Sequence, residues 1–97
     1  QMEFVRQAWA KDKSPRVLVI GGGGYTFPRY MMEMRDQPNA AEYRGTRLDV
    51  VEIDPGVTKV ARDHLGLKDY EGMHVVHMDG RQFIDERVEP GTYDLVI

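Results

Sequence analysis

The sequence predicts an α/β protein built on a doubly wound parallel sheet, and three observations carry that expectation. Four short runs are largely apolar: Val17–Ile20, Leu48–Ile53, Val75–Val76 with its flanks, and Leu95–Ile97. Such runs suit strands buried on both faces. The segments between them repeat apolar residues at helical spacing, and each run ends in a turn signal rather than a hairpin dipeptide, so successive strands are expected to be parallel with helices as crossovers. Right-handed crossovers then give the expected strand order 3-2-1-4, the N-terminal half of a Rossmann-like sheet.

The elements follow in order. Met2 to Ala10 is expected to be a helix, anchored by Trp9 and ended by the turn Lys11-Asp12-Lys13-Ser14-Pro15. After the first strand, Phe27, Tyr30, Met31 and Met34 fall at i, i+3, i+4 and i+7, one apolar stripe. Pro38 to Gly45 reads as a polar loop. Asp54-Pro55 is an N-cap followed by proline at the first helical position, and the stripe of Val57, Val60, Ala61, His64 and Leu65 runs to a stop at Gly66. Asp79 with Gln82 resembles a capping box opening a shorter helix that carries Phe83, Ile84 and Val88. Glu89-Pro90-Gly91 turns the chain into the last strand. That strand is reached at the end of the sequence with no helix after it, so the domain is expected to be truncated. An open strand edge at 93–97 is also expected to pair two copies into a homodimer.

Composition bounds the function. The 97 residues are one small domain, 41% hydrophobic and 30% charged, which is the balance of a folded chain. A net charge of −3 builds no positive field, so nucleic acid is not expected as a partner. Without cysteine there are no disulfides, thiolate metal sites or cysteine nucleophiles, and a reducing compartment, the cytoplasm, is expected. No apolar run approaches the roughly 20 residues that cross a bilayer, so no membrane contact is expected of this chain itself.

Three strand ends carry the chemistry. A buried strand runs into Gly21-Gly22-Gly23-Gly24-Tyr25-Thr26 and then a helix. Glycines there let a ligand approach the main chain without meeting a Cβ, and the helix offers free N–H groups. A dinucleotide fingerprint does not fit, because its last glycine falls on Thr26 or Phe27 in the two possible registers. Glu52 stands near the carboxyl end of the second strand, where an acid can accept hydrogen bonds from both ribose hydroxyls, and a carboxylate in an apolar strand otherwise costs several kcal/mol. Asp54 is explained by capping. Asp79 either caps its helix or meets the exocyclic amine of an adenine. The three ends together form one crevice at the topological switch point.

Other residues read as ordinary. His74 and His77 stand three apart on a strand, point to opposite faces and cannot chelate one metal, so none is expected. His64, on an apolar stripe, reads as a packed core residue. The six methionines read as core filling.

With these segments, the chain resembles the class I S-adenosylmethionine-dependent transferases, and within them the spermidine synthase-like (aminopropyltransferase) family. The resemblance rests on Val17-Leu18-Val19-Ile20-Gly21-Gly22-Gly23, Val51-Glu52-Ile53-Asp54-Pro55, Asp79-Gly80-Arg81-Gln82-Phe83-Ile84 and Tyr93-Asp94-Leu95-Val96-Ile97, and spans about Pro15 to Ile97. The stretch Gly24-Tyr25-Thr26-Phe27-Pro28-Arg29-Tyr30 is similar to a branch often fused to membrane-spanning segments. The resemblance implies one nucleoside-binding domain over 1–97. Its donor, S-adenosylmethionine or the decarboxylated form, would be held by Gly21, Gly22, Gly23, Gly24, Tyr25, Glu52, Ile53, Asp79 and Gly80. The loop would wrap the sulfonium end, Glu52 hold the ribose, and Asp79 with Gly80 frame the adenine. Aminopropyl transfer to a polyamine is the implied reaction. Typical members carry an aspartate where this sequence has Gly24, and their catalytic aspartate would fall beyond Ile97, so no catalytic residue is assigned here. Methyl transfer and a non-catalytic binding or assembly module are the alternatives.

Overall fold

A computed structural model of the protein describes residues 6–7, 9–10, 14–21 and 25–97. Strands β1 (Arg16–Ile20), β2 (Arg47–Val51), β3 (Met73–Val76) and β4 (Leu95–Val96) form one parallel sheet in the order β3-β2-β1-β4, as the sequence predicts. The run Val17-Leu18-Val19 lies at the centre and is at most 4% exposed. Helices α1 (Thr26–Arg35) and α2 (Pro55–His64) connect β1 to β2 and β2 to β3, and α3 (Gly80–Arg87) connects β3 to β4.

Alternation along the strands divides the core in two. Val17, Val19, Leu48 and Val50 pack with Met31 and Met32 of α1 and Ala61 of α2. Leu18 and Val51 face the other way and pack with Phe83 of α3. Helices therefore cover both faces, and the crossover that passes over to the far side of β1 takes the opposite face from the first two.

The helices are turned differently from their apolar stripes. On α1 the buried residues are Pro28, Met31, Met32 and Arg35, while Tyr30 is 51% exposed. The stripe is rotated by one position because Arg35 is drawn inward. Its Nη1 donates to the carbonyls of Thr46 (3.0 Å) and Glu71 (2.6 Å), and its Nε to Asp36 Oδ1 (2.9 Å). A buried guanidinium thus ties the segments leading into β2 and β3. On α2 the fully buried positions are Thr58 and Ala61, and Val60 and Leu65 are half exposed. His64, expected in the core, is exposed. The helix is held in this rotation by the Thr58 hydroxyl, which is hydrogen-bonded inward to Tyr25.

Local signals fare well. Asp54 Oδ1 accepts from the Gly56 amide (2.8 Å), and Gly66 takes φ +76° just after α2. Asp79 Oδ1 accepts from the Gln82 amide (3.0 Å), but the Gln82 side chain reaches Glu86 rather than back to Asp79, so half of the capping box forms. The expected loop at Pro38–Gly45 contains a 3-10 helix, Pro38–Tyr43. Of the opening helix, residues 6–7 and 9–10 are helical and the remainder lies outside the described residues. Trp9 anchors it, stacked on Tyr43 at 4.6 Å and donating to Thr46 Oγ1 (2.9 Å). No helix among the described residues is long and apolar enough to cross a membrane.

At the β4 side, Tyr93 donates to Asp49 Oδ2 (2.5 Å) under the Arg16 guanidinium. Burial, then the Asp49 carboxylate, push the Tyr93 pKa up to about 12. A pKa raised on folding stabilises the folded state below the unfolded value near 10, and that stabilisation is lost as pH rises through the folded value. Stability should therefore fall between about pH 10 and 12 with a component that Tyr93→Phe removes, as read by urea midpoints across that window. Replacing Arg35 by Met should cost about 2 kcal/mol in urea unfolding, since the buried Thr46 carbonyl and the partly buried Glu71 carbonyl lose a charged donor. Arg35→Lys should recover less than half, because an ammonium does not reproduce the guanidinium fork.

Candidate functional site

The carboxyl ends of β1, β2 and β3 lie side by side because their registers are level: Ile20 pairs with Val51, and Val51 with Val76. The ladder continues one residue further. Gly21 donates its amide to the Val51 carbonyl (2.8 Å), and Glu52 donates to the Val76 carbonyl (3.0 Å). The sheet thus delivers Gly21, Glu52 and the His77–Asp79 segment to one edge, at the point where the chain reverses the order of its strands.

Each expected residue has a distinct setting. Gly21 has φ +74°, and no atom of the described residues lies within 4 Å of where a Cβ would stand, so it is the conformation that demands glycine. Gly22, Gly23 and Gly24 lie outside the described residues. Glu52 is only 9% exposed, and among the described residues the hydrogen bond it accepts comes from the Asp54 amide (3.1 Å, to Oε2). A carboxylate taken this far out of water is costly for the fold unless it is paired. Ile53 beside it is 66% exposed, an apolar surface that folding leaves uncovered. Asp79 is exposed and caps α3. Gly80 has a packing reason, since a Cβ there would collide with the Ile20 side chain.

Tyr25 is turned into the core. Its side chain is 1% exposed, its backbone is left-handed with φ 65°, and its hydroxyl lies 2.6 Å from Thr58 Oγ1. Burial raises its pKa, with the Glu52 charge adding to the effect. What it can offer a ligand is its backbone at the exit of the glycine run. The same Thr58 oxygen lies 2.9 Å from His77 Nε2. Thr58 and His77 were not among the expected site residues. The available signal was a threonine three positions before Ala61 on an otherwise apolar helix face.

Among the described residues no group of three or more potential metal ligands comes together. A cleft of about 740 Å³ lies at the opposite, amino end of the sheet, with Glu33, Asp36, Lys68 and Glu71 in its wall. It holds none of the strand-end residues, and the glycine run that would wall the strand-end crevice lies outside the described residues. The strand ends remain the better candidate, because an exposed apolar side chain and a largely buried acid stand together there.

No family model and no curated protein matches the sequence. Solved structures do. Human methyltransferase-like protein 13 in complex with SAH (S-adenosylhomocysteine) superposes with a TM-score of 0.65 at 27% identity over 84% of this chain. The fold is that of the S-adenosylmethionine-dependent methyltransferases. A probable spermidine synthase from Corynebacterium glutamicum superposes with a TM-score of 0.67 at 22% identity over 94% of this chain, a likeness of fold. A mutant of MtNAS does so with a TM-score of 0.54 at 25% identity over 98%. The chain spans 35%, 31% and 32% of those three proteins, about a third of each.

The Gly80–Ile20 contact makes a test of how the site edge is built. Gly80→Ala should destabilise by about 1 kcal/mol through overpacking, less than a core insertion because Ile20 is partly exposed. In an Ile20→Ala background the same change should be neutral or stabilising, and a double-mutant cycle of urea midpoints reads the difference.

Proposed function

We propose that residues 1–97 are the nucleoside-binding portion of a transferase whose donor is S-adenosylmethionine or its decarboxylated form. The observation that carries this proposal is the level alignment of three strand ends, which sets Gly21, buried Glu52 with exposed Ile53, and Asp79 along one edge of the sheet. In that arrangement Glu52 accepts hydrogen bonds from the ribose hydroxyls, and Ile53 packs against the adenine. Asp79 and Gly80 border the base, and the Gly21–Gly24 loop with the Tyr25 backbone meets the sulfonium end. The bound SAH of methyltransferase-like protein 13 and the S-adenosylmethionine bound to the MtNAS mutant support a donor of this class.

Aminopropyl transfer to a polyamine is the reaction that the sequence motifs favour, from Val51-Glu52-Ile53-Asp54-Pro55 to Tyr93-Asp94-Leu95-Val96-Ile97. The amine nitrogen attacks the carbon bonded to the sulfonium, the C–N bond forms as the C–S bond breaks, the sulfur leaves as the neutral thioether on the nucleoside, and the amine gives up a proton to solvent. Methyl transfer is the second reading, favoured by the 27% identity to methyltransferase-like protein 13.

Calorimetric titration with S-adenosylmethionine, its decarboxylated form and S-adenosylhomocysteine separates the readings. Tighter binding of the decarboxylated donor is the expected result, tighter binding of S-adenosylmethionine moves the reaction to methyl transfer, and no binding of any of the three overturns the proposal. Glu52→Gln should weaken donor binding by about tenfold or more, since hydrogen bonds to a charged acceptor are worth about 1.5–3 kcal/mol each.

A further inference from the structure

Tyr25 leaves the glycine run in a left-handed conformation, φ 65° and ψ 18°, that side-chain-bearing residues seldom adopt. Something must hold it there. Its ring is buried, and its hydroxyl is the first link in a chain of three polar groups: Tyr25 to Thr58 Oγ1 at 2.6 Å, and Thr58 Oγ1 to His77 Nε2 at 2.9 Å. This chain starts at the exit of the β1–α1 loop, crosses the first turn of α2, and ends just past β3, two residues before Asp79.

Counting hydrogens decides how it can be arranged. Three groups make two gaps, and each gap holds one hydrogen. The tyrosine and threonine hydroxyls bring one hydrogen each. If Nε2 is bare, both find acceptors: Tyr25 donates to Thr58 and Thr58 donates to His77. If Nε2 carries a hydrogen, three compete for two gaps, and a hydroxyl hydrogen is left without an acceptor among the described residues. Tyr25 is 1% and Thr58 4% exposed, so bulk water does not take its place. Burial also keeps the tyrosine protonated by raising its pKa.

We infer that His77 is a positioning residue: with its proton on Nδ1 and Nε2 bare, it orients the Thr58 hydroxyl and through it locks Tyr25, and so the exit of the glycine loop, in the shape that receives the donor. The tautomer and its hold on Tyr25 stand on the geometry alone. The effect on donor affinity rests on the proposed function.

The test uses the 97-residue chain at a pH above the ordinary histidine value of about 6.5. Ring-nitrogen NMR, with His77 identified by His77→Gln, is expected to show Nδ1 protonated and Nε2 bare. The ζ-carbon signal of Tyr25, identified by Tyr25→Phe, is expected to move in His77→Ala and to return in His77→Gln, whose amide oxygen accepts. It should stay displaced in His77→Lys, which can only donate. Mere space-filling by the imidazole would not separate Gln from Lys in this way. Affinity for S-adenosylhomocysteine should fall about tenfold in the Ala and Lys variants, the loss expected from one unmade buried hydrogen bond, and stay within about twofold in Gln. A hydrogen on Nε2 in the unaltered chain overturns the inference without any variant. A Tyr25 signal indifferent to His77→Ala also overturns it, and equal affinities across the variants overturn the link to the donor. Absence of binding by the unaltered chain defeats the proposed function, while the two NMR readouts still decide the role of His77.

Discussion

The parallel register of β1 on β2 and β2 on β3 is the constraint on which the other features depend. It sets Ile20 level with Val51 and Val51 level with Val76, and the amides of Gly21 and Glu52 carry the ladder one residue further. Side chains alternate along a strand, so a slip of one residue would send every core residue of β2 to the wrong face and displace Glu52 from the edge. Burial of Val17, Leu18 and Val19 on both faces of the central strand makes such a slip costly. The hydrophobic sheet therefore positions a polar edge that it does not itself contain.

Two polar assemblies, each reaching from the interior to an exposed residue, sit at opposite ends of that sheet. At the amino end Arg35 gathers the carbonyls of Thr46 and Glu71, and at the carboxyl end Tyr25, Thr58 and His77 form a chain. Apolar contact is non-directional and tolerates several helix rotations, whereas a hydrogen bond is specific in distance and angle. These groups choose which face of α1 and α2 turns inward. The consequence on α2 is that Val60 and Leu65 are left half exposed while Thr58 is buried.

Most of the motif residues at the candidate site also serve the fold. Asp54 and Asp79 cap helices, Gly80 gives Ile20 room, and Gly21 takes a positive φ. Such residues would be retained for folding with or without a ligand, so their presence discriminates weakly between a binding site and a turn. Glu52 and Ile53 discriminate better. One is a buried acid that, among the described residues, accepts from the Asp54 amide, and the other a large apolar side chain left 66% in solvent. Neither arrangement helps the folded state, and both agree with the nucleoside site proposed above.

By itself the sequence determined the four parallel strands, their order, the crossover helices and the caps at Asp54 and Asp79. Those features follow from short-range chemistry: runs apolar on both faces, proline after a capping aspartate, and glycine after a helix. Tertiary structure decided the rotation of α1 and α2, the exposure of His64, the inward turn of Tyr25, and the pairing of Tyr93 with Asp49. The bonds responsible join residues 33, 36 and 44 positions apart. Residues so distant carry no mutual spacing pattern along the chain, and they meet because the sheet has already brought their elements together.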